Sequence, residues 1–279
     1  MSKNLKLHSE KLSDKGMDYK IKGKTVLVSA SSKGIGRAIA ELFIQEGCNV
    51  TICSTNAENL KRTAKEIKLK FGIEPHCIIC DIDKPEQIEN AVNVVTQKFG
   101  TIDILVNNCG GPIPGYFETL SDENWEAAFD QVLMSVIRFT RLVLPGMKSK
   151  NWGRIINITS LAVKQPVDNL ILSNSLRSAV TAFAKTLSNQ VGKHNITINN
   201  VAPGYTLTSR IDELAEVRAK QAGTTKENML KSMSEEVPLK RMAAPEEVAS
   251  LVLYLSSEQA GYITGSTIGV DGGVIKATY

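Results

Sequence analysis

Five side chains in this 279-residue sequence have types and positions suited to moving a proton. Ser173 and Arg177 stand four apart in "NLILSNSLRSAV" (169–180), so a helix would turn both to one side. Ser160 closes "NITS" (157–160), Lys164 follows it in "SLAVKQP", and Tyr205 comes directly after Pro203 and Gly204. Hydroxyls, a guanidinium, an ammonium and a phenol can bond an oxygen, protonate it, or stabilise charge on it. A second group suits a phosphate. In "SASSKGIG" (29–36), Gly34 and Gly36 let the backbone approach a pyrophosphate held at a helix N-terminus. A tight structural turn would also account for two glycines.

These residues need a scaffold, and the apolar pattern supplies one. Short apolar runs predict strands at 25–30, 49–54, 76–81, 102–108, 153–160, 196–204 and 266–273. Helical periodicity predicts helices at 35–47, 57–71, 85–98, 122–149, 173–192 and 245–256. Such alternation implies an α/β fold: one Rossmann-like, doubly wound parallel sheet of about seven strands with helices on both faces. The polar, helix-prone stretch 205–240 follows a strand end, where α/β folds place ligand-covering loops, and is expected to form a helical lid. One domain, residues 21–279, is expected.

Bulk composition narrows the function classes. At 42% hydrophobic residues the chain can bury a full core. The net charge of +4 sits in residues 1–24, with seven lysines against Glu10, Asp14 and Asp18, and the remainder is balanced. A basic extension over 1–20 is thus expected to be a solvated tail, with no nucleic-acid or membrane partner. The N-terminus shows no apolar signal region, and no run approaches a membrane span. Five cysteines, an odd number, favour reduced thiols and a cytoplasmic setting. Cys77 and Cys80 in "EPHCIICDI" lack a second ligand pair, so no metal site is expected; the segment reads as a buried strand.

Taken together, the motifs resemble the short-chain dehydrogenase/reductase family from about residue 21 to 273. Its glycine motif is matched by Ser29, Ala30, Gly34 and Gly36, and its N-N-A-G by "NNCG" (107–110). Its adenine-contacting aspartate is matched by Asp81, its P-G by Pro203 and Gly204, and its nicotinamide-amide position by Thr208. The closing "PEEVASLVLYLSSEQAGYITGSTIGVDGG" (245–273) resembles the family tail. The resemblance implies an NAD(P)-dependent oxidoreductase, with Ser32, Lys33, Ile35, Thr55, Ile82, Asn108, Gly110 and Arg177 also against the dinucleotide. Ala30 replaces a glycine and is expected to need negative φ. No acid ends the second strand at "CSTNAEN" to bond a ribose 2′-hydroxyl, and Lys33 could pair with a 2′-phosphate. NADP is therefore favoured over NAD.

The family's catalytic tyrosine and lysine are replaced here by Ser173 and Arg177, and its asparagine falls on Val132. Only Ser160 keeps the usual residue. An aliphatic hydroxyl is a far poorer acid than a phenol and reaches less far. The sequence is similar to a divergent branch, described as β-ketoacyl-carrier-protein-reductase-like, in "NN-x-GGP", "VKQP" and "LSN-x-x-R" (107–112, 163–166, 172–177). The expected chemistry is hydride transfer between nicotinamide and a carbonyl or secondary alcohol through an altered proton relay. Ser160 would bond the substrate oxygen, Arg177 would anchor the ribose, and Lys164 or Tyr205 would give the proton, with a water on Ser173 as the other route. The alternative is a nucleotide-binding protein with little or no turnover, acting as a sensor or assembly subunit. The resemblance also implies a homotetramer or homodimer, and Leu133, Val136 and Val180 fit either that interface or the core.

Overall fold

The computed structural model describes residues 17–278. Its seven strands are β1 (Thr25–Val28), β2 (Asn49–Ser54), β3 (His76–Ile79), β4 (Ile104–Asn107), β5 (Gly153–Ile158), β6 (Ile196–Pro203) and β7 (Thr267–Val270). All pair in parallel, in the order β3-β2-β1-β4-β5-β6-β7. Crossovers are made by α1 (Gly34–Gln45), α2 (Ala57–Phe71), α3 (Pro85–Phe99), α4 (Asp122–Ala128), α5 (Ser135–Lys150) and α6 (Ile171–Val191). The lid holds α7 (Ser209–Ala222) and α8 (Lys226–Glu236), and α9 (Pro245–Leu255) precedes β7.

Strand alternation divides the core in two. Val26, Val28, Ile104, Val106, Ile156 and Ile158 face α1 and α9, where Ile39, Phe43, Val248 and Val252 meet them. Leu27, Leu105, Ile155 and Ile198 face the other way, onto Ile88, Val95, Phe139, Val143 and Ala184 of α3, α5 and α6. A period of two on strands covered on both faces produces this division. Each large apolar side chain so buried stabilises the fold by about 1.5–3 kcal/mol.

A row of polar side chains crosses the second layer. Asn107 donates to Asn157 (2.9 Å), Asn157 to Asn200 (2.9 Å) and Asn200 to Thr267 (3.0 Å). These residues lie directly opposite one another in the β4, β5, β6 and β7 registers.

Two expectations are corrected. β3 is an edge strand, not a buried one: Ile79 is 60% exposed and Cys77 is exposed, because only β2 adjoins it. The helix predicted at 122–149 is interrupted by a π-helical segment, Phe129–Met134, between α4 and α5. Val136 and Val180 are core residues, packed with Val132, Leu172 and Leu176, and Leu133 is partly buried against them. Most of the basic extension (1–20) lies outside the described residues, but Tyr19 already packs on the core. Among the described residues, no helix is long and apolar enough to cross a membrane.

The lid has its own small core of Ile211, Ala215, Met233 and Met242. A short backbone neck joins it to the body: Leu207 N–H donates to Ala243 O and Ala243 N–H to Tyr205 O, both at 2.9 Å.

Candidate active site

The carboxyl ends of β1, β4, β5 and β6 open onto a cleft of about 310 Å³, roofed by the lid. At one end lies the N-terminus of α1. α2 is closed by Asn56, whose side chain accepts from Asn59 N–H, whereas α1 begins after Lys33 with no side-chain cap. Its first N–H groups, lacking intrahelical partners, are therefore free for an anion. Ala30, Ser32, Lys33, Gly34 and Ile35 line this end, as does Ser54. Ser29 lies just behind, its hydroxyl donating to Asn108 O (2.6 Å) and accepting from Asn108 N–H (2.8 Å). The Asn108 amide in turn donates to Ala30 O at 3.0 Å. Gly36 is required by close approach: a Cβ there would sit 2.6 Å from Ala30 O.

Ala30 departs from expectation. Its φ is +45°, in the left-handed region, not negative. The bonds from Asn108 hold it there against a cost of about 1–2 kcal/mol.

The other end collects the proton-handling candidates. Ser160, Ser173, Arg177 and Tyr205 line the cleft with Gly110, Pro203 and Gly204, whereas Thr208 stands against Gly34 at the α1 end. Ser160 Oγ accepts from Ala162 N–H at 3.2 Å, which leaves its own proton free to donate. Asn174 pins the facing loop, donating to Val167 O at 2.9 Å and accepting from Val167 N–H at 3.3 Å. Lys164 does not line the cleft, and neither do Thr55, Asp81 or Ile82. Asp81 bonds its own turn instead, through Asp83 N–H.

Arg177 is only 7% exposed. Its Nη1 donates to Ile158 O (2.9 Å) and Thr159 O (3.1 Å), and its Nη2 to Gly110 O (3.3 Å) and Cys109 Sγ (3.7 Å). The fork thus ties the loop after β4 to the end of β5, with main-chain acceptors where a ribose was expected. Among the described residues no carboxylate pairs with it. Its charge therefore remains available to the cleft.

Tyr205 Oη bonds Glu236 at 3.1 Å. Burial, above all, raises the phenol above its ordinary value, with Arg218 opposing and Glu236 reinforcing the shift. A raised phenol is a weaker proton donor at neutral pH. Val132 occupies the π-helical segment, buried among Leu172, Leu176 and Val180, where an asparagine would have been polar.

Among the cleft residues that escaped the sequence reading, two are cationic: Arg210 and Arg218 of α7. With Leu214 they repeat every four residues, the spacing of one helix face.

A family model described as enoyl-(acyl carrier protein) reductase matches residues 29–275. The chain is 34% identical to the 3-oxoacyl-(acyl-carrier-protein) reductase FabG of Aquifex aeolicus, over 92% of this chain and 100% of that protein. The L-sorbose reductase of Gluconobacter frateurii, solved with NADPH and L-sorbose, superimposes with a TM-score of 0.88 at 35% identity, covering 94% and 100% of the two chains. An actinorhodin polyketide ketoreductase variant with NADPH gives 0.88 at 32% identity, covering 91% and 98%. The chain belongs to the short-chain dehydrogenase/reductase family of oxidoreductases.

Proposed function

We propose that this chain is an NADPH-dependent reductase of carbonyl compounds with a rebuilt proton relay. The observation that carries the reading is one cleft joining the uncapped N-terminus of α1 to Ser160, Ser173 and Arg177. The residues fit a dinucleotide phosphate: the α1 N–H groups suit the pyrophosphate, and Lys33, exposed at the mouth, suits a 2′-phosphate. NADPH, which the solved relatives hold, supplies the hydride when bound.

The protein's own residues act on the oxygen. The Ser160 hydroxyl donates to the carbonyl oxygen as charge develops there. Arg177 adds positive charge without losing its proton. The proton comes from a water held by Ser173, which lines the cleft, and a proton from solvent at the mouth converts the hydroxide left behind back to water. Tyr205 is disfavoured as donor because its hydroxyl already donates to Glu236, and Lys164 by its place outside the cleft.

Thermal unfolding with NADPH or NADH, followed by NADPH oxidation over a carbonyl panel, tests the reading. NADPH is expected to raise Tm more than NADH. Ser160→Ala is expected to lower kcat about 10²–10³-fold, as loss of an oxyanion donor does, and Tyr205→Phe less than threefold, within ordinary variation for a group outside the chemistry. A Tm rise with no turnover, and turnover only in Ser173→Tyr/Arg177→Lys, would instead support the non-catalytic alternative.

A further inference from the structure

The proton-handling end of the cleft holds more positive charge than its cofactor role calls for. Arg177, Arg210 and Arg218 line it, and no aspartate or glutamate does. Arg210 reaches across from the lid to donate to Pro112 O at 2.7 Å, in the loop that Arg177 also holds. Its acidic neighbour, Glu213, stands 3.6 Å away with a side chain 59% exposed and lies outside the cleft wall. Glu236, bonded to Tyr205, is absent from the cleft wall. Burial holds Arg210 below its ordinary value, Glu213 opposes that shift and the nearby Arg177 charge adds a smaller lowering, so the cationic lining, with no acid in the cleft wall itself, is a place for an anion.

That anion is distinct from the dinucleotide phosphates, which suit the far end at α1 and Lys33. The same cleft also has apolar lining: Leu161, Val167 and Leu170 from the body, Ile211 and Leu214 from the lid. A guanidinium fork matches the two oxygens of a carboxylate, and an apolar chain matches these walls.

We propose that the substrate is an oxo acid, a carbonyl compound whose carboxylate is taken by Arg210 and Arg218 of the lid while its short apolar chain lies along Leu161, Val167 and Leu170. This rests on the reading of the cleft as an NADPH-dependent reductase site. The substrate then spans lid and body, its carboxylate on one and its apolar chain on the other.

The test uses the full-length protein saturated with NADPH, with hexanoate, hexanamide and hexyl phosphate as probes in thermal unfolding. The expected result is a Tm rise with hexanoate and none with hexanamide at equal concentration. Arg210→Met and Arg218→Met should each remove the hexanoate rise while keeping the NADPH rise, which also reports that they fold. Arg218→Met, which strips no main-chain acceptor of its bond, serves alone if the Arg210 variant does not fold. In turnover, 2-, 3- and 4-oxohexanoate are compared with their methyl esters, and at least one acid should exceed its ester tenfold or more in kcat/KM. Hexanamide or hexyl phosphate matching hexanoate, an undiminished hexanoate rise in the variants, or esters equal to every acid would overturn the proposal. Loss of the wild-type NADPH rise would instead overturn the reading beneath it.

Discussion

Two buried arginines sit at opposite ends of β5 and hold their charge by similar means. Arg154, fully buried near the start, donates to Ser257 O (3.3 Å), Gly153 O (2.9 Å) and Asn195 O (3.1 Å). Arg177 grips the carbonyls at the finish. What differs is the company. Arg154 stacks 4.4 Å from the centre of the Trp152 ring, whose indole N–H bonds Glu258, and the Glu258 carboxylate lies 3.9 Å from the guanidinium. Arg177 faces an open cleft and a second cation. Burial alone therefore does not separate a structural arginine from a functional one. The neutralising partner does: Arg154 has one within the protein, and Arg177 is left to find one in a ligand.

The sharpest way to break this comparison is to remove each cation. Arg177→Met should lower turnover about 10²–10³-fold, as removal of transition-state charge stabilisation does. Arg154→Met should leave kcat and the NADPH response intact but destabilise the fold by about 3 kcal/mol, through three carbonyls that lose a donor and a lost stack. Its Tm should fall by roughly 6–12 °C in calorimetry. Equal losses of stability with equal turnover would erase the distinction.

A smaller effect is expected where the cofactor turn meets the same cleft. Ala30→Gly relieves the positive φ, and after the extra chain entropy of glycine should stabilise the protein by about 0.5–1 kcal/mol, read in urea unfolding.

The smallest effect belongs to an exposed pair. Glu247 bonds Arg241 through both carboxylate oxygens (2.6 and 2.7 Å) and accepts from Ala244 N–H at the start of α9. Arg241, then that N–H, brings its carboxyl down to about 2. A pKa depressed on folding gives stability that is present above the unfolded value and lost as pH falls through the folded one. Tm measured from pH 5 to 2 should therefore decline slightly more steeply in wild type than in Glu247→Gln.

The sheet was legible because strands covered on both faces must be written as apolar runs, and α1 to α3 because their apolar faces repeat at helical spacing. β3 misled for the same reason: "HCIICD" is as apolar as a central strand, and composition does not say which strand stands at the edge. The glycine turn was legible, but the sign of φ at Ala30 was not, since Asn108, far along the chain, sets it. Arg177 was found from its spacing to Ser173. That its fork would hold carbonyls could not be read, because those acceptors belong to two other strand ends. Arg210 and Arg218 looked like the wet side of a polar lid, and only docking of α7 over the cleft turns that side inward.

The row of side-chain amides from Asn107 to Thr267 has a mechanical consequence. Slipping any of the four strands by one residue would carry its polar member to the opposite layer, among Val28, Phe43 and Val252, so the strands are doweled together as a plate. The lid, with its private core, is tied on by the bonds at Tyr205 and Ala243 and by Arg210 on Pro112. The molecule is built as a vice, the doweled plate one jaw and the lid the other.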